Sequence, residues 1–105
     1  MQRHDNLISH VLNVLNTNPI VKNIYLFGSC ARCEESWSSD VDLLVVVDDS
    51  ATDTGLRQIS TECVPENYRA PELDIVIYRE ASLRSESFFL DCIRKDWRLL
   101  YENVL

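Results

Sequence analysis

Asn23-Ile24-Tyr25-Leu26-Phe27-Gly28-Ser29, followed after ten further residues by Asp40-Val41-Asp42-Leu43-Leu44-Val45-Val46-Val47, is the stretch that decides the fold. Asn23 to Phe27 is rich in β-formers and is stopped by glycine, so it reads as a strand. Val41 to Val47 is a nearly continuous apolar run, the pattern of a strand covered on both faces. Between them, Ser29 to about Glu34 reads as a short helix opening just after the glycine, and 35–39 as polar loop.

Working outward, Leu7, Ile8, Val11, Leu12 and Leu15 recur at helical spacing, which predicts an amphipathic helix over 4–16, ending before Pro19. Thr52 or Asp53 caps a second helix running to about Cys63. Pro65 to Pro71 is a connector, and Glu72 to Tyr78 is a third strand. Ser82 to about Lys95 reads as one final helix, with Leu83, Leu90, Ile93 and one of Phe88 and Phe89 facing the core. Arg98 to Tyr101 fits either a last strand or a helix extension. The sum is an α/β arrangement, helices and strands alternating around a small sheet. A chain of 105 residues fits one domain, 1–105.

Composition narrows the function classes. The formal net charge of -7 argues against binding to extended nucleic acid, which calls for a basic patch. The longest apolar runs are strand-length, too short to span a membrane. The apolar stretch Leu7 to Leu15 is broken by Ser9, His10 and Asn13, unlike a signal peptide. A cytoplasmic location is therefore expected. Cys30, Cys33, Cys63 and Cys92 are then expected as thiols. Cys30 and Cys33 have zinc-like spacing, but one close pair with no second pair is a weak signal. Asp48 and Asp49 read as a solvated turn, and His4 and His10 as helix-face residues without a chemical task.

Chemistry concentrates at four places. Gly28 lets backbone approach a phosphate closely, and a helix opening at Ser29 aims free N–H groups at it. The Ser29 hydroxyl adds a donor, and Arg32 lies one turn on. Asp40 and Asp42, two apart on a strand, project to one face and suit Mg²⁺. Asp74, between Leu73 and Ile75, adds a third carboxylate where a solitary charge is costly to bury. Each feature alone has a bland counterpart: a turn with a cap, a strand-edge charge, an exposed strand face. Together they form the equipment of metal-assisted phosphoryl or nucleotidyl transfer, with two cations about 4 Å apart.

The set Gly28-Ser29, Asp40-Val41-Asp42 and Asp74 resembles the DNA polymerase beta nucleotidyltransferase superfamily. The chain's small size is similar to that of the minimal members, in particular the MntA-type antitoxins paired with HEPN toxins. This resemblance implies a mixed sheet flanked by helices. It implies two Mg²⁺ ions held by Asp40, Asp42 and Asp74, with ATP phosphates near Gly28, Ser29 and Arg32. It also implies transfer of AMP from ATP to a hydroxyl, in these antitoxins a tyrosine of the toxin. Two rivals stand beside it: a small-molecule nucleotidyltransferase, and a non-catalytic module that masks a toxin. Phe88, Phe89, Trp97 and Tyr101 read mostly as core, with a partner-binding surface as the alternative.

Overall fold

The computed structural model describes residues 2–28, 41–62, 73–84 and 87–103. Eight elements follow one another. They are α1 (Gln2–Leu15), β1 (Val21–Phe27), β2 (Val41–Val47), α2 (Asp53–Glu62), β3 (Leu73–Arg79), α3 (Glu80–Leu83), α4 (Phe88–Arg94) and β4 (Arg98–Glu102). The strands form one mixed sheet in the order β3-β2-β1-β4. β1 runs antiparallel to both β2 and β4, while β2 and β3 are parallel and α2 lies in the crossover between them. β2 matches its predicted span residue for residue. It is an inner strand, which is why its sequence is apolar on both faces.

The two faces of the sheet are covered differently. Alternate side chains of a strand point to opposite sides. Val41, Leu43, Val45 and Val47 of β2 therefore share a face with Ile24 and Leu26 of β1, and Leu73, Ile75 and Ile77 of β3 pack there too. Leu7, Val11 and Leu15 of α1 and Ile59 of α2 close this face into the main core. The other face carries Phe27, Leu44 and Val46, with Tyr25, Val76 and Tyr78 packed beside them. Among the described residues, Leu83 of α3, Phe89, Leu90 and Ile93 of α4, and Trp97 cover it.

Local chemistry accounts for the ends of the elements. The Thr52 hydroxyl accepts from the Gly55 N–H at 3.1 Å and so caps α2. The Asp49 carboxylate accepts from the Ala81 N–H at 2.8 Å and takes one of the free donors at the start of α3. Asp48 accepts from the Ser50 N–H at 2.9 Å, folding the turn after β2. Arg79 donates twice to the Ala51 carbonyl, at 3.1 and 2.8 Å, and so clips the end of β3 to the entry of α2. His10 on α1 is half-buried, and its Nε2 is buried without a hydrogen-bond partner among the described residues.

Two expectations need adjustment, and one choice left open is decided. β1 begins at Val21 rather than Asn23, because a register shift lets Val21 pair with Val47. The predicted final helix is two helices, α3 and α4, since Ser87 is extended and its hydroxyl accepts from the Leu90 N–H at 3.4 Å, starting a fresh helix. The segment from Arg98 is a strand, because the outer edge of β1 is open to pair with it. The expected helix after Ser29 and the 65–71 connector lie outside the described residues, as do Cys30, Cys33 and Cys63. Cys92 is a free, exposed thiol.

Candidate active site

Register brings the chemistry-bearing residues of three strands to one end of the sheet. Phe27, the last residue of β1, stands opposite Asp42 of β2, and Asp42 stands beside Asp74 of β3. Neighbouring strands lie about 4.8 Å apart, so the two carboxylates leave the sheet as neighbours. Both alternate with main-core residues, Asp42 with Val41 and Leu43 and Asp74 with Leu73 and Ile75. They therefore emerge on the sparsely covered face, with Phe27, Leu44 and Val46. Asp42 is half-buried and Asp74 exposed.

Gly28 follows at once. Its φ of 76° is left-handed, a conformation that side-chain-bearing residues rarely adopt. A Cβ at this position would overlap the Asp42 carboxylate oxygen Oδ2 and lie 3.2 Å from Cγ and 3.4 Å from Cβ of Asp42. The glycine is thus required twice, by the turn and by the acid against it. A backbone held this close to a carboxylate lets phosphate and acid share one small space.

The donor set fits a hard divalent cation. Adjacent carboxylates repel unless a cation or proton lies between them, and their oxygens are the ligands that Mg²⁺ takes. Among the described residues no set of three metal-ligating side chains is complete, as Asp40 lies outside them. Ser29 and Arg32 also lie outside the described residues. Of the six predicted site residues, the described structure thus brings together Gly28, Asp42 and Asp74.

Sequence reasoning missed an aromatic floor on the same face. Phe89 of α4 meets Phe27 edge-on, with ring centroids 5.8 Å apart, and Tyr78 at 6.4 Å. Tyr25 stacks on Trp97 at 4.1 Å and 16°, and the Arg94 guanidinium lies 5.9 Å from the Trp97 ring centroid. Burial, and secondarily the charge of Glu102, pushes the Tyr25 hydroxyl pKa up. The available signal was parity: Tyr25 and Phe27 are spaced by two, and Tyr78 lies four residues beyond Asp74.

The sequence matches the family model described as "Polymerase beta, Nucleotidyltransferase" over residues 9–103. No curated protein matches the chain in sequence. Among solved structures, it is similar to a Sulfolobus solfataricus protein assigned as a nucleotidyltransferase, with a TM-score of 0.65 and 20% identity. That match covers 95% of this chain and 81% of the other. It is similar to a chain of a toxin–antitoxin complex with AMP-PNP, with a TM-score of 0.57 and 22% identity over 94% of this chain and 73% of that one. It is also similar to a chain of the complex of a tri-AMPylated Shewanella oneidensis HEPN toxin with its MNT antitoxin. There the TM-score is 0.53 and the identity 20%, over 97% of this chain and 72% of the other.

Proposed function

The chain belongs to the polymerase beta nucleotidyltransferase family, and from that premise we propose that it transfers AMP from ATP to a hydroxyl, a tyrosine of a partner HEPN toxin, and acts as that toxin's antitoxin. One observation carries the reading. Asp42 and Asp74 stand in register on one sheet face, with the backbone of Gly28 pressed against the Asp42 carboxylate. The solved toxin–antitoxin complexes of similar fold, one with AMP-PNP and one with an AMPylated toxin, support the choice of nucleotide and partner.

Each residue then has a task. Gly28 admits the triphosphate to the backbone, and the Ser29 hydroxyl donates to a phosphate oxygen. Arg32 balances phosphate charge. Asp40, Asp42 and Asp74 would hold Mg²⁺, which when bound lowers the pKa of the attacking hydroxyl and offsets charge on the triphosphate. The acceptor oxygen attacks the α-phosphorus and forms a new P–O bond. The bond from that phosphorus to the bridging oxygen breaks, and pyrophosphate leaves. Asp74, exposed at the strand's start, takes the acceptor's proton and passes it to solvent.

The test is incubation with ATP, Mg²⁺ and the HEPN partner, read by intact mass. The wild type should add AMP to the partner. Asp74→Asn, which keeps size but removes charge and basicity, should lose transfer by at least ~100-fold. A wild type that neutralises the partner without adding mass would leave a masking module in place of the enzyme.

A further inference from the structure

The aromatic floor beside the acids has no task in the proposed reaction. Phe89 is the ring that matters. It touches Phe27 on β1 and Tyr78 on β3, the two strands that flank β2, so it sits over β2. Phe27 is level with Asp42 and Tyr78 is level with Val46. Phe89 bridges those two levels, which centres it near Leu44. Two residues of strand separate Leu44 from Asp42, roughly 7 Å. That is about the span of a nucleotide from its α-phosphate to its base. Phe89 is also 37% exposed, although two rings hold it edge-on.

We propose that Phe89 is the stacking platform for the nucleobase of the bound nucleoside triphosphate. The inference rests on the phosphates lying at Gly28 and the acids, as in the function proposed above. With the phosphate end anchored there, a base that extends from the acids toward Phe89 covers exposed aromatic surface. Among the described residues, the face covered by α1 and α2 is lined mainly by aliphatic side chains, and its one aromatic, Tyr101, is packed against that core. Stacking uses the flat face that every base has, so this platform takes the base without reading its edge. Phe27 and Tyr78 are positioning residues, since each holds the Phe89 ring in a T-shaped contact.

Binding without any acceptor tests this by calorimetry, with ATP and inorganic tripolyphosphate as parallel ligands in Mg²⁺. The wild type should bind ATP at least tenfold more tightly than tripolyphosphate. Phe89→Ala should weaken ATP about 10- to 100-fold and leave tripolyphosphate within twofold. Phe89→Trp should restore ATP binding, and CTP and GTP should follow ATP within a few fold. Phe88→Ala, at the neighbouring ring that is 85% exposed, should leave both ligands unchanged. Equal ATP affinity in Phe89→Ala and wild type, with tripolyphosphate still bound, would overturn the platform and leave the transferase reading standing. A wild type that binds neither ligand would overturn both. Parallel loss of both ligands in Phe89→Ala and in Phe89→Trp would assign the ring to the fold instead.

Discussion

The two faces of the sheet are built from the same strands and do opposite work. On the face toward α1 and α2, Leu7, Val11, Leu15 and Ile59 seal an aliphatic layer contributed by every second residue of β2 and by β3. On the other face the intervening residues of those strands are Asp42, Leu44 and Val46, and Asp74, Val76 and Tyr78, under the short helices α3 and α4. A two-residue period lets one strand commit half its side chains to stability and half to chemistry. The division explains how so small a chain keeps charged groups at the end of its central strands. The carboxylates lie where cover is thin, and the burial that stabilises the sheet comes from their immediate neighbours.

Neighbouring substitutions on β2 give the strongest test of that division. Asp42→Asn should cost at least ~100-fold in AMP transfer. Without metal its melting temperature should stay near wild type, because the substitution keeps the side chain's size at a half-buried position. Leu43→Ala, one residue on, should cost about 2–5 kcal/mol of stability, a fall of roughly 10 °C or more in melting temperature. Its transfer rate, measured well below that temperature, should stay near wild type. Thermal melts and the mass assay on both variants decide the matter, and exchanged phenotypes would end the two-face account.

Gly28 sharpens the comparison, since it touches both jobs. Gly28→Val places a branched side chain at φ 76° and against Asp42 Oδ2. Strain of about 1–3 kcal/mol is expected from the backbone alone. ATP binding should fall further than the melting temperature suggests, because the displaced group is the carboxylate itself. Calorimetry beside a thermal melt separates the two effects.

The smallest expected effect lies at the far end of β2, where a carboxylate serves the fold. The Ser50 hydroxyl, then the Ser50 backbone N–H and Lys22, hold the Asp48 carboxyl below its ordinary 3.8. A depressed pKa contributes stability that is present above the unfolded value and is lost as pH falls through the folded one. Asp48→Asn should therefore melt slightly below wild type at neutral pH. The two curves should converge as pH drops below about 3.8. A constant gap down the whole acid limb would show that Asp48 acts by shape alone.

Much of this was legible in the residues, for identifiable reasons. The run Val41 to Val47 reads as a strand covered on both faces, and the spacing of Leu7, Val11 and Leu15 as a helix face, and both are found. Asp42 and Asp74 were legible as acids on apolar strands, though their register was not. That pairing arises from a parallel crossover through residues 48–72, which local pattern does not encode. The approach of Gly28 to Asp42 was hidden for the same reason: it follows from Phe27 standing opposite Asp42. The split between α3 and α4 was missed because no glycine or proline marks it, only the cap at Ser87. Phe89 could not be placed from its helix alone, because its ring neighbours belong to two distant strands.

The place of β4 sets the order in which this molecule can be made. Residues 98–102 pair with the outer edge of β1, which leaves the ribosome long before them. At ~5–20 residues per second, that edge waits several seconds for its partner. Meanwhile its unpaired backbone groups and the neighbouring Tyr25 and Leu26 are a template for any other nascent strand. Asp42 already lies opposite Phe27 in the β1–β2 hairpin, so half of the acid pair is in place during the wait. Yield in the cell should then depend on how quickly the last strand is delivered, and synonymous codons that slow translation just before residue 98 should favour inclusion bodies without altering the purified protein.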